Sequence, residues 1–334
     1  MFKTRNAGQG KTGILRTLMV LACAVIGFMP ATGAAAYPEQ PINMIVAYAP
    51  GGGTDLVARA IVPYIEKYLG AGARILVLNR PGAGGEIGFA ALSGAPPDGY
   101  TIGFVNTPGL LTVPIERKTA FTWQSFDLLG NLVDDPGNFS VHAESPFKNL
   151  ADLAAYAKAN PNVVTVGTTG VGSDDHLAML QFEKIAGVKM NHIPFKGAAD
   201  VRTALAGKQI VVGAINVGEA LQYAKGGSPM RNLGQMSSTR TVLAPDLPTF
   251  KEQGFDFVMA SLRGLAAPKG LPAAIRERLV KAVERAADDP VFQAQAAKFY
   301  APLRYLPPAK YEAELREAEA QFRQLWKEIP WTEK

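Results

Sequence analysis

The chain is nearly free of cysteine and poor in histidine. Its one cysteine, Cys23, falls in the N-terminal leader described next, so the rest of the chain has none. That absence excludes a disulfide framework, a cysteine nucleophile and a thiolate metal site. The three histidines, His142, His176 and His192, lack the spacing of metal ligands. We therefore expect a hydrophobic core to stabilise the protein, with no metal and no cofactor.

No apolar run reaches the ~18 residues that a membrane-spanning helix needs. The run at residues 17–29 follows four basic residues and precedes Ala34-Ala35-Ala36. This pattern predicts a secretory signal peptide over residues 1–36, cleaved after Ala36, and hence a periplasmic protein. Because Cys23 follows Leu21-Ala22, a lipoprotein signal is the alternative.

The chain beyond the leader has no excess of either charge. The whole sequence carries 34 basic and 29 acidic residues, and residues 1–36 hold four of the basic ones and no acidic one. The remaining 30 basic and 29 acidic residues nearly balance, so the charge supports neither nucleic-acid binding nor binding to a membrane surface. Residues 37–334 are long enough for two ordinary domains.

The glycine-rich stretch near the start of the mature chain lacks the motifs of nucleotide sites. Apolar residues 42–49 lead into Gly51-Gly52-Gly53, and a helical apolar period follows, which predicts strand, loop and helix. Glycine lets bare backbone approach a ligand, and a helix start offers unpaired N–H groups with partial positive charge, so this pattern favours an anion site. Leu56 stands where a dinucleotide fingerprint needs glycine, and no P-loop lysine follows. A carboxylate is the remaining common small anion; the alternative is a tight turn with Thr54 or Asp55 capping the helix.

Catalytic signatures are lacking as well. Ser173, Asp174, Asp175 and His176 are adjacent at a predicted helix start. A nucleophile and a base three residues apart on one helix rarely align as a triad requires, and the chain has no Gly-x-Ser-x-Gly elbow. The sequence therefore favours a binding protein over an enzyme.

What the chain does have is a regular alternation of predicted strands and helices. Residues 163–166 read as a strand, residues 167–173 as a second glycine-rich loop, and residues 174–185 as a helix. Strands that alternate with helices predict an α/β fold whose mainly parallel sheets are covered on both faces. Later in the chain, residues 257–260 are predicted as a strand that leads to Arg263.

Six motifs, in order over nearly the whole mature chain, resemble the receptor subunits of tripartite tricarboxylate transporters, a family that includes the extracytoplasmic solute receptors of the Bug type. The six motifs are Tyr48-Ala49-Pro50-Gly51-Gly52-Gly53-Thr54-Asp55-x-x-x-Arg59, Asn79-Arg80-Pro81-Gly82-Ala83-Gly84-Gly85-x-x-Gly88, Pro97-Asp98-Gly99-Tyr100-Thr101, Gly170-x-Gly172-Ser173-x-x-His176, Pro194-Phe195-Lys196-Gly197 and Arg263-Gly264-x-x-Ala267-Pro268-Lys269-Gly270. Motifs of this length in this order are specific for the family.

The resemblance implies a two-lobed periplasmic binding protein of type II-like architecture, with a hinge between the lobes. Lobe 1 would comprise residues 37–138 and 239–334, and lobe 2 residues 139–238. In that family two glycine loops face the cleft and hold carboxylate groups largely by main-chain N–H groups. Here these are the first glycine loop, residues 48–55, and the second glycine loop, residues 169–173. The implied partners are a small organic acid and an integral membrane permease, with the receptor itself a monomer.

The candidate ligand-binding residues lie on both loops and on the walls beside them. Tyr48 is either a ligand contact or core, Asp55 suits a helix cap better than an anion contact, and Lys196 is either a cleft cation or a solvated charge. The candidates are Tyr48, Gly52, Gly53, Thr54, Asp55, Asn106, Thr107, Thr169, Gly170, Gly172, Ser173, Asn216 and Arg263, with His176 and Lys196 in supporting positions.

One departure from the family pattern concerns the strand after Gly207. Many members end it with aspartate and phenylalanine, whereas this chain ends it with Ile215-Asn216, so the wall there is predicted to be smaller and less acidic. Many members also carry Trp or Phe near Arg263. An arginine suits a bidentate pair with a second carboxylate, which favours a dicarboxylate, while Tyr48 leaves an aromatic acid open.

Two other functions remain open from the sequence. One is an exported enzyme that uses the anion site for a phosphorylated or acyl substrate. The other is a sensory protein that transmits its ligand state to a membrane sensor kinase, because such a protein would have the same fold and pocket.

Overall fold

The structure, a computed structural model, describes Met1, residues 37–70 and residues 72–332. Apart from Met1, the signal peptide predicted over residues 1–36 lies outside the described residues. Residues Pro38–Lys334 form one compact unit, and the following concerns its described part. Within this part, none of the helices combines the length and the apolar character needed to cross a bilayer.

The described residues form ten strands of one sheet. Their bounds are β1 (Ile42–Val46), β2 (Ile75–Asn79), β3 (Thr101–Asn106), β4 (Phe126–His142), β5 (Thr165–Thr168), β6 (Asn191–Pro194), β7 (Val212–Asn216), β8 (Met230–Gln235), β9 (Ala260–Pro268) and β10 (Leu303–Leu306). The spatial order is β2-β1-β3-β9-β4-β7-β5-β6, and β8 and β10 also pair with β4.

Helices follow most of these strands. The α-helices of the described part are α1 (Gly53–Leu69), α2 (Glu86–Ser93), α3 (Gly109–Glu116), α4 (Leu150–Ala159), α5 (Asp174–Ala186), α6 (Ala198–Ala206), α7 (Val217–Lys225), α8 (Ala273–Ala287), α9 (Pro290–Lys298) and α10 (Pro308–Glu328). The predicted α/β class is therefore confirmed.

Both predicted strand–glycine loop–helix units are present, and their strands pair in parallel. β1 pairs in parallel with β2 and β3, and β5 pairs in parallel with β6 and β7. In α1, Val57, Ile61 and Ile65 are buried at helical spacing, and the helix contacts α8, β2 and β1. Burying each such side chain contributes about 1.5–3 kcal/mol, which stabilises the packing of the helix.

The centre of the sheet is antiparallel, and the sequence analysis did not predict it. The long strand β4 pairs antiparallel with β9 and β10 through its first half and with β7 and β8 through its second half. The strand predicted over residues 257–260 is wrong in position, because β9 begins at Ala260 and continues to Pro268. Arg263 therefore lies within a central strand and is not in a loop after one.

The strands and helices that flank the two glycine loops belong to different hydrophobic clusters. Phe89 and Phe121 meet edge to face in the cluster against which Tyr48 packs. Phe139 and Phe182 meet edge to face at 5.5 Å in the cluster that includes Val166 of β5 and Leu177 of α5. β4 runs without interruption across the boundary predicted between residues 138 and 139. The two predicted lobes and their boundaries stay a prediction.

Candidate functional site

The carboxyl ends of two parallel strand pairs, β1 with β3 and β5 with β7, converge on one cavity, as expected for ligand sites in open α/β sheets. The cavity holds about 330 Å³ of space free of protein atoms. It is lined by Tyr48, Gly52, Gly53, Thr54, Asn106, Thr169, Asp174, Ala198, Asn216, Glu219, Ser261 and Arg263. Eight of the thirteen candidate ligand-binding residues lie in this lining; five come from the two glycine loops, and Asn106, Asn216 and Arg263 come from strands.

A carboxylate of the protein itself occupies the start of α1. The N–H of Gly53 donates to Oε1 of Glu219 at 2.8 Å. Gly52 caps the helix and supplies no side-chain hydrogen bond, so the helix start is bare backbone. A methyl group at Gly53 would collide with Glu219 and with the guanidinium of Arg263, which is why glycine is needed at this position. The first glycine loop thus binds a carboxylate in the manner the sequence predicts, but the carboxylate is internal.

Arg263 is buried among acceptors. Its Nη2 lies 3.2 Å from Asp135 Oδ2, 3.2 Å from Glu219 Oε1 and 2.9 Å from Asn216 Oδ1. Only 3% of its side chain is exposed. Within the described part of the chain, its Nε is buried without a hydrogen-bond partner. One guanidinium therefore compensates two buried carboxylates and still has a donor to offer.

The wall that ends in Asn216 has carboxylates beside it that the sequence analysis did not predict, and a wall less acidic than in other family members stays a prediction. Nδ2 of Asn216 donates to Asp174 Oδ2 at 2.7 Å and to the carbonyl oxygen of Asp135 at 2.9 Å. Burial raises the pKa of Asp174 to about 6 against the opposing hydrogen bond from Asn216. Burial likewise raises the pKa of Asp135 to about 7, with Arg263 opposing that shift. The amide of Asn216 thus links one carboxylate, that of Asp174, to the backbone of β4.

The second glycine loop is held by side chains behind it. The N–H and Oγ1 of Thr169 donate to Asp175 Oδ2 at 3.2 and 2.6 Å. Oγ of Ser173 accepts from the His176 N–H at 3.3 Å and donates to the Gly170 carbonyl, so it caps α5. The N–H of Gly172 donates to Nδ1 of His176 at 3.2 Å. Of these residues only Thr169 reaches the cavity lining, while Gly170, Gly172, Ser173 and His176 position it.

The imidazole of His176 acts as an acceptor in this arrangement and must be neutral there. Its ring stacks on that of His192 at 3.9 Å. Burial lowers the pKa of His176 to about 3, with the neighbouring imidazole adding to the effect, and burial lowers that of His192 to about 4. The pair therefore remains neutral, and the loop keeps its shape, at neutral pH.

The first glycine loop has a similar support outside the cavity. Asp55 Oδ2 accepts from the N–H of Gly51 at 3.0 Å, and the same carboxylate accepts from Arg59 and Asn79. Asp55 is absent from the cavity lining because its carboxylate is turned to these partners, so the structure places it as a loop support.

Lys196 contacts the first glycine loop through its backbone only. Its carbonyl oxygen accepts from the Ala49 N–H at 3.2 Å, while its side chain is exposed.

Tyr48 and Asn106 line the cavity, whereas Thr107 does not. Tyr48 lines the cavity and also packs edge-on against Phe89, and burial raises the pKa of its hydroxyl well above the ordinary value. Nδ2 of Asn106 donates to Thr54 Oγ1 at 2.8 Å. Thr107 lies behind the wall, where its Oγ1 accepts from the N–H of Leu262 at 3.0 Å, so it is not a lining residue.

Sequence reasoning missed four residues of the lining and the buried partner of Arg263. The missed lining residues are Asp174, Ala198, Glu219 and Ser261, and the missed partner is Asp135. Asn216 and Glu219 have the spacing of a capping box, and the structure forms that box at the start of α7. The spacing signals a helix start, but it does not tell that Glu219 also reaches Gly53, 166 residues away.

Comparisons with known proteins agree on one family. Residues 57–307 match the sequence model described as the tripartite tricarboxylate transporter family receptor. A UPF0065 protein of Cupriavidus necator is 33% identical over 309 residues, which are 91% of this chain and 92% of the relative.

Solved structures with the same fold include two that are informative about function. The periplasmic binding protein BugD is 30% identical, with a TM-score of 0.81 over 89% of this chain and 100% of BugD. MatC from Rhodopseudomonas palustris, solved with bound malate, is 25% identical, with a TM-score of 0.78 over 86% of this chain and 99% of MatC.

Proposed function

The chain belongs to the family of tripartite tricarboxylate transporter receptors, and from that premise we propose that it binds a small carboxylate in this cavity and delivers it to an integral membrane permease. The family consists of periplasmic solute-binding receptors. We propose that this member is exported by its signal peptide, acts as a monomer and leaves its ligand chemically unchanged.

One observation carries the proposal. The N–H of Gly53 and Nη2 of Arg263 both reach a single carboxylate oxygen, at 2.8 and 3.2 Å. Charge-assisted hydrogen bonds of this kind are stronger than neutral ones and select an anionic oxygen. The malate bound to MatC supports the same class of ligand.

The residues that line the cavity indicate which acid it would take. The first glycine loop would hold one carboxylate, and Thr169 on the second glycine loop would face the other end. The ring of Tyr48 lines the cavity between them, so a dicarboxylate or an aromatic acid is the proposed ligand.

Delivery requires a change that the permease can detect. We propose that lobe 1 (residues 37–138 and 239–334) and lobe 2 (residues 139–238) close on the acid by hinge motion. The closed form alone would present the rims of both lobes together, and the permease would recognise that combined surface.

Binding should be visible as thermal stabilisation. At a free concentration of 100 times Kd, a ligand that binds only the native state contributes ~2.7 kcal/mol, which raises the melting temperature by several degrees. A fluorescence-monitored melt against mono-, di- and tricarboxylates and aromatic acids measures this. The uncharged diamide of each responding diacid serves as control and should give no shift. A panel without any shift would contradict the proposed function.

Affinity for the acid should increase as pH falls from about 7.5 to about 5.5, because cavity carboxylates take up protons in that range. Asp135 and Asp174, with pKa values raised to about 7 and about 6, are ionised at the upper limit and repel an anionic ligand. They become protonated at the lower limit, while at least one carboxyl group of the ligand stays ionised. We expect a gain of about threefold to tenfold by titration calorimetry.

The control for this pH dependence is Asp174→Asn, which should bind more tightly at the upper limit and change less with pH. His176 and His192 have pKa values lowered to about 3 and about 4, so they stay neutral throughout. An affinity that decreases towards acidic pH would show that the ionised carboxylates help to hold the ligand.

A further inference from the structure

The two carboxylate oxygens of Glu219 accept hydrogen bonds at the starts of two different helices. Its Oε2 accepts from the N–H of Asn216 at 3.3 Å, which completes the capping box of α7. Its Oε1 reaches a different helix and accepts from the N–H of Gly53 at 2.8 Å. The capping box needs only one oxygen, so helix capping does not explain where the second oxygen lies.

The second oxygen lies where a ligand carboxylate would bind. Oε1 of Glu219 is shared between Gly53 N–H and Arg263 Nη2, the two donors that carry the proposed function. One backbone N–H cannot serve two carboxylate oxygens at full strength, and two carboxylates brought together in a buried site repel each other. A ligand that uses these donors must therefore displace Oε1.

We propose that Glu219 is an internal substitute for the ligand: its carboxylate fills the anion site of the first glycine loop until an acid displaces it. The inference rests on the proposed function. Glu219 pairs the Gly53 N–H and Nη2 of Arg263 while no acid is bound, when unpaired buried donors would be costly. It also lowers the apparent affinity, because only the fraction of molecules with Glu219 displaced can bind the acid.

A ligand has an advantage that Glu219 lacks. Glu219 is tethered to α7 and spends one oxygen on Asn216, so it gives Arg263 a single oxygen. Within the described residues, Nε of Arg263 is left buried without a partner. A free carboxylate is not tethered and can offer both oxygens to the guanidinium in a bidentate pair. The unpaired Nε of Arg263 thus favours the exchange of Glu219 for a free carboxylate.

The test compares acetate binding to the wild type and to Glu219→Gln, followed by the backbone amide signal of Gly53 in NMR spectra. Acetate is the smallest carboxylate probe and needs only the first glycine loop. Glutamine keeps the length of the side chain but loses the charge that strengthens its hold on Gly53. We expect the acetate concentration for half-maximal shift of the Gly53 signal to fall about tenfold or more, as occupancy by Glu219 is relieved.

The matched control is Asp135→Asn. Asp135 pairs with Arg263 at 3.2 Å and accepts from the Gly218 N–H, but it does not bond to Gly53. Asp135→Asn therefore removes one negative charge beside the same arginine without freeing the anion site. Its effect on acetate binding should be clearly smaller than that of Glu219→Gln. Sodium chloride at equal ionic strength controls for salt, and circular dichroism with thermal melting verifies that both variants fold.

Each outcome decides the inference. Equal acetate response in the wild type and Glu219→Gln overturns it, as does an equal gain in both variants, which would point to charge alone. No shift of Gly53 in any of the proteins overturns it too, since no carboxylate would then reach the site. The thermal melts with the acid panel test the proposed function separately. If acids stabilise the wild type, the proposed function is supported even when one of these results overturns the inference about Glu219.

Discussion

Gly53→Val is expected to abolish acid binding, with an affinity loss of at least about a hundredfold, or ~2.7 kcal/mol. The new Cβ would collide with the Arg263 guanidinium and the Glu219 carboxylate, at the point where the two donors converge. A branched side chain there excludes the carboxylate of any ligand. Gly53 starts α1, a helical position that valine tolerates, so the loss comes from occupied space. Titration calorimetry with the responding acids measures it.

The variant must be folded for that loss to be informative. Overpacking a buried site typically costs about 1–3 kcal/mol of stability, which a domain of this size tolerates. Gly226→Val makes the same change at the exposed end of α7, where an added Cβ meets only the carbonyl oxygens of Tyr223 and Gln222 at 3.4 and 3.5 Å. Its affinity should equal that of the wild type. If folded Gly53→Val kept its affinity, the first glycine loop would not hold the acid.

Those parts of the site that are built from neighbouring residues in the chain could be predicted from local sequence patterns. The run from β1 through Gly53 into α1 combines an apolar strand, glycines and a helical period within about thirty residues, and each signal is physical. The start of α4 is equally local, because the side chain of Asn149 accepts from the Asp152 N–H at 2.8 Å. Element type and the two glycine loops could therefore be predicted from the sequence.

What could not be predicted depends on strand pairing across the chain. β4 contains Asp134-Asp135-Pro136-Gly137, which reads as a turn, yet these residues continue a strand where it changes partners from β9 to β7. That exchange brings Asp135 beside Arg263, and the start of α7 brings Glu219 beside Gly53. No spacing rule links residues this far apart, so the acidity of the cavity was missed although its glycines were found.

The acidity has a consequence for how the site recognises anions. A cavity with only bare N–H groups would bind any small anion at the helix start. Here Asp174 and Glu219 line the same space as Arg263. A ligand must supply enough hydrogen bonding to replace Glu219 and to outweigh repulsion by Asp174. If the proposed function holds, the surrounding carboxylates should disfavour weakly bound anions and favour an acid that satisfies both donors.

Arg263→Met is expected to lower the free energy of unfolding by about 3–5 kcal/mol at neutral pH, because removing one partner of a buried ion pair leaves uncompensated charge. Asp135 and Glu219 are 1% and 7% exposed, and both lose their guanidinium. Urea denaturation at about pH 7.5 and about pH 5.5 measures the loss. A carboxyl group whose folded pKa is raised favours folding below that pKa, and burial already raises the pKa of Asp135 to about 7. The loss should therefore be smaller at the lower pH.

Two further variants test whether the lost stability comes from the uncompensated buried carboxylates or from the loss of any arginine. Arg304→Met removes an arginine whose side chain is 43% exposed and whose partners are Asp134 and Glu314 on the surface, so it should cost no more than about 1 kcal/mol. Adding Asp135→Asn to Arg263→Met removes one of the two orphaned carboxylates and should recover part of the lost stability. A loss in Arg263→Met that does not exceed the loss in Arg304→Met, or a double variant that is less stable still, would mean that the buried carboxylates do not depend on Arg263.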